Sequence, residues 1–191
     1  MAIRSFLAFE LPKEIREIIS RGLAEMKKRP LDLRWVKPEN IHLTVVFLGS
    51  VREQDLDSIS DEVSKVCGRY GPFDISLNKC GVFGSRRNPR VLWIGLDGDI
   101  KRMAFFKGSL TRHLKPFGMK EEKRRFNPHL TLGRFRKGAR GGAGLDDLLE
   151  AYAGMTSPGY FLKELVLFKS DLKPGGAVYT RLASWPLEGT Y

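Results

Sequence analysis

Only three histidines occur in the 191 residues, and two of them share one setting. His42-Leu43-Thr44-Val45 and His129-Leu130-Thr131-Leu132 each place a threonine two residues after a histidine in an apolar, β-prone run. Side chains in a strand repeat with period two, so each His and its Thr point the same way while apolar neighbours fill the other face. Histidine is the side chain that can hold or release a proton near neutral pH. Two of them facing one cavity can act as acid and base in a single turnover, each contributing on the order of 10²–10⁴ in rate. Threonine hydroxyls beside them can donate to phosphoryl oxygens, which suits in-line displacement at phosphorus. A lone strand histidine is more often a hydrogen-bonded structural residue; two in matching settings shift the balance toward chemistry. A metal pair is the sharper rival. Two histidines with no carboxylate or thiol nearby make a poor ligand set, so no metal and no cofactor are expected. His113 has no Thr partner, and a helix-terminal or surface role fits it better.

Arg134, five residues after His129, is a candidate phosphate clamp, because a planar guanidinium matches a phosphoryl group. Strict alternation puts Arg134 on the face opposite His129. Either the strand ends there or Gly133 permits a bulge that re-aims the side chain; without that, Arg134 is a surface arginine.

The elements that must position these groups follow from periodicity and turn residues. Strands are expected over Ile3–Phe9, Leu33–Val36, His42–Leu48 (closed by Gly49), Phe73–Phe83, Val91–Leu96, His129–Phe135, Tyr160–Phe168 and Ala177–Trp185. Helices are expected over Lys13–Lys28, Ser50–Val66, Ile100–Leu114 and Leu145–Tyr152. The third carries an apolar stripe of Ile100, Met103, Ala104, Lys107, Leu110 and Leu114. Gly84–Arg90 reads as a basic turn, Lys120–Arg125 as a charge run, and Lys173–Gly176 as a turn. The glycine-rich stretch Gly138–Gly144 lacks the Gly-Lys-Ser/Thr ending of a P-loop and reads as a flexible loop.

The two motifs lie 129 − 42 = 87 residues apart, and sliding the chain by that offset aligns nearly every element without gaps. Asn40 falls on Asn127, and the strand around Leu7 on the one around Ile94. The fold class expected is α+β: two pseudo-symmetric lobes, each an antiparallel sheet with helices packed outside, and a central cleft between the motif strands. Residues 1–191 are expected to form one bilobal domain.

An apolar fraction of 42% argues against disorder, and a net charge of +11 with a pI near 9.8 favours a polyanionic partner such as nucleic acid. Arg86, Arg87, Arg90, Lys120, Lys123, Arg124, Arg125, Arg136, Lys137 and Arg140 would make a basic rim for an RNA backbone, each weighed against a merely solvated surface. Cys67 and Cys80 form no disulfide framework or metal set and are expected as buried thiols. With no leader-like opening and no membrane-length apolar run, a cytoplasmic protein is expected.

With these residues in hand, the chain resembles the two-histidine phosphoesterase superfamily, whose signature is a pair of His-x-Thr-x motifs. Within it the likeness is to the bacterial and archaeal RNA 2′,3′-cyclic phosphodiesterase family, also known as 2′-5′ RNA ligases. It rests on Phe6-Leu-Ala-Phe9 with Leu11-Pro12, Arg34-Trp-Val36, His42 through Gly49, Gly81-Val-Phe83, Val91-Leu-Trp93 and Phe126 through Arg134. The resemblance implies metal-independent hydrolysis of RNA 2′,3′-cyclic phosphate ends, such as those of tRNA fragments, to 2′-phosphomonoesters. It implies 2′-5′ ligation as a side activity. It makes His42 the proton donor, His129 the proton acceptor, and Thr44, Thr131 and Arg134 phosphate-binding residues, in a monomer with no membrane partner. The residues alone leave open which histidine is acid and which is base. The rival readings are a phosphodiesterase on a small cyclic nucleotide or a 2′-5′ oligonucleotide, and a non-catalytic RNA-binding module.

Overall fold

The computed structural model describes residues 2–119, 125–174 and 176–191. Lys120, Lys123 and Arg124 of the expected rim, most of the 120–125 charge run, and Gly175 lie outside the described residues. The strands are β1 (Ala2–Glu10), β2 (Leu33–Trp35), β3 (His42–Arg52), β4 (Phe73–Ser85), β5 (Asn88–Gly98), β6 (His129–Phe135), β7 (Tyr160–Leu162), β8 (Glu164–Lys173) and β9 (Gly176–Pro186). The helices are α1 (Lys13–Met26), α2 (Leu56–Cys67), α3 (Ile100–Leu114) and α4 (Ala143–Ala151).

The strands form one antiparallel sheet in the order β7-β4-β5-β6-β3-β1-β8-β9, with β2 added to the edge of β6. At its middle, β3 and β6 meet at a single ladder pair, Leu43 with Leu130. That seam divides the sheet into two lobes, β3-β1-β8-β9 carrying His42 and β7-β4-β5-β6 with β2 carrying His129. The chain is therefore the expected α+β arrangement of two pseudo-symmetric lobes. The helices cover the sheet with apolar stripes: Ile15, Ile19, Leu23 and Met26 on α1, and Ile59, Val63 and Val66 on α2. The stripe of α3 is Met103, Phe106, Leu110 and Leu114, so Phe106 takes the place expected of Ala104. These side chains join Leu7, Phe9, Leu43, Leu130 and Leu132 in a core cluster that spans both lobes.

A lobe is not one half of the sequence. β4, from the first half, forms a hairpin with β5 through the Arg86-Arg87 turn, while β8 and β9 return from the end of the chain to β1. The hairpin closes a very short loop, which costs little chain entropy. It leaves β1 without a partner on its outer edge until β8 arrives.

Several expected boundaries differ. Gly49 does not close its strand. Leu48 is left without a partner on β1, Gly49 adopts φ +75°, and β3 continues to Arg52, so the glycine serves a bulge. The helix expected from Ser50 accordingly begins at Leu56. The strand expected over Tyr160–Phe168 is two strands broken at Lys163: β7 pairs with β4 in one lobe and β8 with β1 in the other. Apolar residues flank the exposed Lys163-Glu164 pair on both sides, so periodicity registers an interruption but not a change of partner. The basic turn expected over Gly84–Arg90 shrinks to Arg86-Arg87, its flanks belonging to β4 and β5.

Candidate active site

Register at the seam fixes the site. Leu43 and Leu130 are both fully buried, each 0% exposed, and pair antiparallel. One residue to either side, His42 therefore lies across from Thr131, and Thr44 across from His129. The two histidines are diagonal neighbours, a relation that sets residues roughly 7–8 Å apart. Each thus shares one cleft with the threonine of the other motif.

Two matching bulges extend this cleft face. On β6, Thr131 pairs with Trp93 and Gly133 with Leu92, leaving Leu132 as the extra residue. The insertion resets alternation, so Arg134 joins His129 and Thr131 on the cleft face while Leu132 and Gly133 are both buried. On β3, Thr44 pairs with Ala8 and Val46 with Leu7, leaving Val45 as the extra residue, and Phe47 joins His42 and Thr44. The bulge that Gly133 was expected to permit is therefore present. A Cβ on Gly133 would stand 1.9 Å from Leu33 Cδ1 and 3.1 Å from the Arg34 carbonyl oxygen, so the Leu33 side chain would have to shift to admit one. Arg134 lies one step beyond Thr131 on the His42 side. Phe47, its counterpart across the pseudo-twofold axis, lies on the His129 side and is 63% exposed.

Both imidazoles are tethered alike. His42 Nδ1–H donates to the Asn40 carbonyl at 2.8 Å, and His129 Nδ1–H to the Asn127 carbonyl at 2.8 Å. A carbonyl only accepts, so it fixes the tautomer and leaves Nε2 as the nitrogen for proton exchange. Asn40 Nδ2 in turn donates to the Ala177 carbonyl at 3.0 Å, pinning the turn before β3. The rings sit on aromatic seats. His42 stacks on Phe6 at 4.8 Å and meets the edge of Tyr179 at 5.2 Å; His129 meets Phe83 edge-on at 4.6 Å, and Phe83 lies 5.4 Å from Trp93. Phe6, Ala8, Val166 and Phe168 form a small apolar cluster on this side of the sheet, apart from the main core. Burial, more than any other influence, draws the His42 pKa below its ordinary value. The Asn40 carbonyl opposes the shift, and the charges of Arg134 and His129 add to it.

The aromatic seats were not singled out as site residues from the sequence, although the 87-residue offset carries Phe6 onto Trp93. Phe83 and Tyr179 reach the histidines from strands outside the motifs, and only tertiary pairing brings them there. Beside His42 opens a cavity of about 240 Å³ lined in part by Glu10, Arg16, Asn40, Tyr179 and Arg181. Of the expected rim, Arg86 is paired with Asp146 at 2.8 Å and Arg136 with Asp32 at 3.0 Å. The 138–144 loop braces the β4–β5 hairpin: a Cβ on Gly141 would meet the Arg86 carbonyl oxygen at 1.9 Å. His113 lies on α3 and bonds Glu62 of α2 through Nδ1 at 2.6 Å, tying the two helices outside the cleft. Cys67 and Cys80 are buried, and burial pushes both thiols up to about 12. Among the described residues no three metal-ligating side chains converge, and no helix is long and apolar enough to cross a membrane.

Comparison with known proteins agrees with this geometry. The chain is 33% identical over 180 residues to the RNA 2′,3′-cyclic phosphodiesterase of Methanothermobacter thermautotrophicus, covering 94% of this chain and 96% of the relative. It is 33% identical over 183 residues to the protein of the same name from Methanocaldococcus jannaschii, covering 96% of this chain and 100% of the relative. Among solved structures, E. coli LigT complexed with 3′-AMP superposes with a TM-score of 0.78 at 27% identity, over 98% of this chain and 99% of that one. TT0787 of Thermus thermophilus shares the fold with a TM-score of 0.82 at 23% identity, over 99% of this chain and 100% of that one. The family described as LigT like Phosphoesterase matches twice in tandem, over residues 9–93 and 94–179, one match for each motif. Paired His-Thr strands across one cleft, relatives matched along nearly the whole chain and a doubled family match lead to one conclusion: this protein belongs to the LigT-like phosphoesterases.

Proposed function

We propose that the protein hydrolyses 2′,3′-cyclic phosphate ends of RNA to 2′-phosphomonoesters without a metal, by paired histidine acid–base catalysis within one bilobal domain spanning residues 1–191. The observation that carries this reading is the seam register: two Nδ1-tethered imidazoles, diagonal across one cleft, each beside the other motif's threonine. The names of the archaeal relatives and the +11 charge support RNA as the substrate class.

In the proposed cycle, the cyclic phosphate lies between the rings with its non-bridging oxygens on the hydroxyls of Thr44 and Thr131 and on Arg134. His129 Nε2 takes a proton from water as its oxygen bonds to phosphorus. The P–O3′ bond breaks opposite, and His42 Nε2–H gives its proton to O3′. The product carries a 2′-phosphomonoester and a 3′-hydroxyl; solvent then returns both rings to their starting states. Burial and Arg134 favour neutral His42 in the empty site. The anionic substrate offsets the Arg134 charge and favours the protonated ring that the acid role requires. A 5′-hydroxyl in place of water gives a 2′-5′ linkage by the same bond changes, the proposed side activity. Phe47 offers an exposed ring, 6.2 Å from Phe6 on the cleft face, for the terminal base.

Incubation with an oligonucleotide ending in 2′,3′-cyclic phosphate, in excess chelator, tests the reading. A 2′-phosphate product is expected at the rate seen without chelator. Absence of product, or its loss on chelation, refutes the proposal.

A further inference from the structure

β2 lies against the same edge of β6 as β3, just beyond the looped-out turn at Pro38–Asn40. Its register pairs Leu33 with Phe135, Arg34 with Arg134 and Trp35 with Gly133, and the Val36 N–H donates to the Leu132 carbonyl at 2.8 Å. Leu33 and Gly133 are buried, while Arg34 and Arg134 are exposed. Directly opposed residues share a face, so Arg34 stands beside Arg134 on the cleft side.

Two like charges directly opposite on a ladder repel and destabilise the pair. Five other arginines sit beside acids: Arg52 with Asp55, Arg86 with Asp146, Arg102 with Asp99, Arg136 with Asp32, and Arg181 with Glu10 and Glu164; the Arg34–Arg134 pair instead sets two guanidinium groups directly opposite each other. Among the described residues neither Arg34 nor Arg134 has such a partner. Two uncompensated forks side by side form a site that an anion relieves. The pair lies two strand positions beyond the His42–Thr131 row, about 7 Å along the sheet. That is a step of one nucleotide from the reacting phosphorus.

We propose that Arg34, with Arg134, binds the phosphodiester one nucleotide upstream of the cyclic end, so that the site takes oligoribonucleotides in preference to mononucleotides. This rests on the proposed function for the direction of the strand. Arg134 then bridges the two phosphates, and Arg34 contacts only the upstream one. A mononucleotide, lacking that phosphate, gains nothing from Arg34.

The test compares wild-type protein with Arg34→Gln and Arg34→Lys on two probes: a labelled trinucleotide ending in 2′-phosphate and a nucleoside 2′-monophosphate. Affinities are measured across a salt series, with turnover of the matching cyclic phosphates in parallel. Arg34→Gln is expected to weaken trinucleotide binding about tenfold, as for the loss of a charged hydrogen bond. It should also flatten the salt slope of that binding by about 0.7. Mononucleotide affinity should hold, and Arg34→Lys should recover part of the loss and all of the slope. An unchanged trinucleotide slope, or equal weakening of both probes, overturns the assignment. Binding with this pattern but without turnover would refute the proposed function and leave the arginine pair standing. Turnover with no effect of Arg34 would do the reverse. Failure of the wild-type protein to bind or turn over either probe refutes both.

Discussion

Replacing Leu43 by alanine tests whether the seam sets the distance between the histidines. Leu43 and its partner Leu130 are 0% exposed, and theirs is the one ladder pair between β3 and β6. A buried Leu→Ala change costs about 2–5 kcal/mol through lost transfer energy and the cavity left behind. In a chain of this length each kcal/mol lowers Tm by about 2–4 °C, so a central loss of about 3 kcal/mol lowers it by about 6–12 °C. If the protein has an ordinary margin of about 5–15 kcal/mol, it stays folded at assay temperature. Any fall in rate is then geometric. Each histidine is one residue from the seam, and a misplacement of about 1 Å at reacting groups can cost about 10²-fold. The assay pairs a thermal scan with initial rates on a cyclic-phosphate-ended oligonucleotide at 25 °C. Leu148→Ala in α4, also fully buried but outside the cleft, is the control and should lower Tm similarly while sparing kcat. If Leu43→Ala loses the expected stability yet keeps kcat/KM within twofold of wild type, the seam does not govern the catalytic distance.

His42→Ala and His129→Ala should each lower kcat by about 10²–10⁴ while RNA affinity changes only severalfold; because both act in one step, the double variant should be little worse than either. Retained turnover in a single variant removes that ring from the mechanism. As general acid, His42 must be protonated, and its pKa in the empty site lies below 6.5, so kcat/KM should decline as pH rises through a value under 6.5. Arg134→Gln removes a charge that depresses His42 and should move that limb to higher pH; a wild-type limb above 6.5, or no movement in the variant, contradicts the role. Cys67 and Cys80, pushed up to about 12 by burial, should resist a thiol reagent at pH 8 while the protein is folded and react once it is unfolded. Prompt modification of the native protein would contradict their burial.

The candidate groups were legible because their pattern is local. A His-x-Thr spacing in an apolar run dictates a shared face by strand geometry alone, and its recurrence after 87 residues implies two such faces. The helix stripes on α1 and α2, and that on α3 except for Phe106 in place of Ala104, were readable for the same reason, since a 3.6-residue period needs no knowledge of the partner. Long-range pairing was not. The run from Tyr160 to Phe168 is split between two lobes; its one charged pair, Lys163-Glu164, falls at the break, but a charge in a run does not say that the strand changes partner there. Arg134 shows the boundary most clearly. Its residue type suggested a phosphate clamp, yet the alternation of its own strand put it on the wrong face.

Sequence by itself therefore determined the candidate groups, their duplication and the α+β class, all set by spacing within single elements. Tertiary structure alone decided that β4 and β8 are exchanged between halves, that Leu43 meets Leu130, and that bulges at Val45 and Leu132 turn Phe47 and Arg134 into the cleft. It alone set Arg34 opposite Arg134. The physical reason is that register is a property of two strands at once: a one-residue slip reverses every side chain, and only the partner's buried face fixes which register forms.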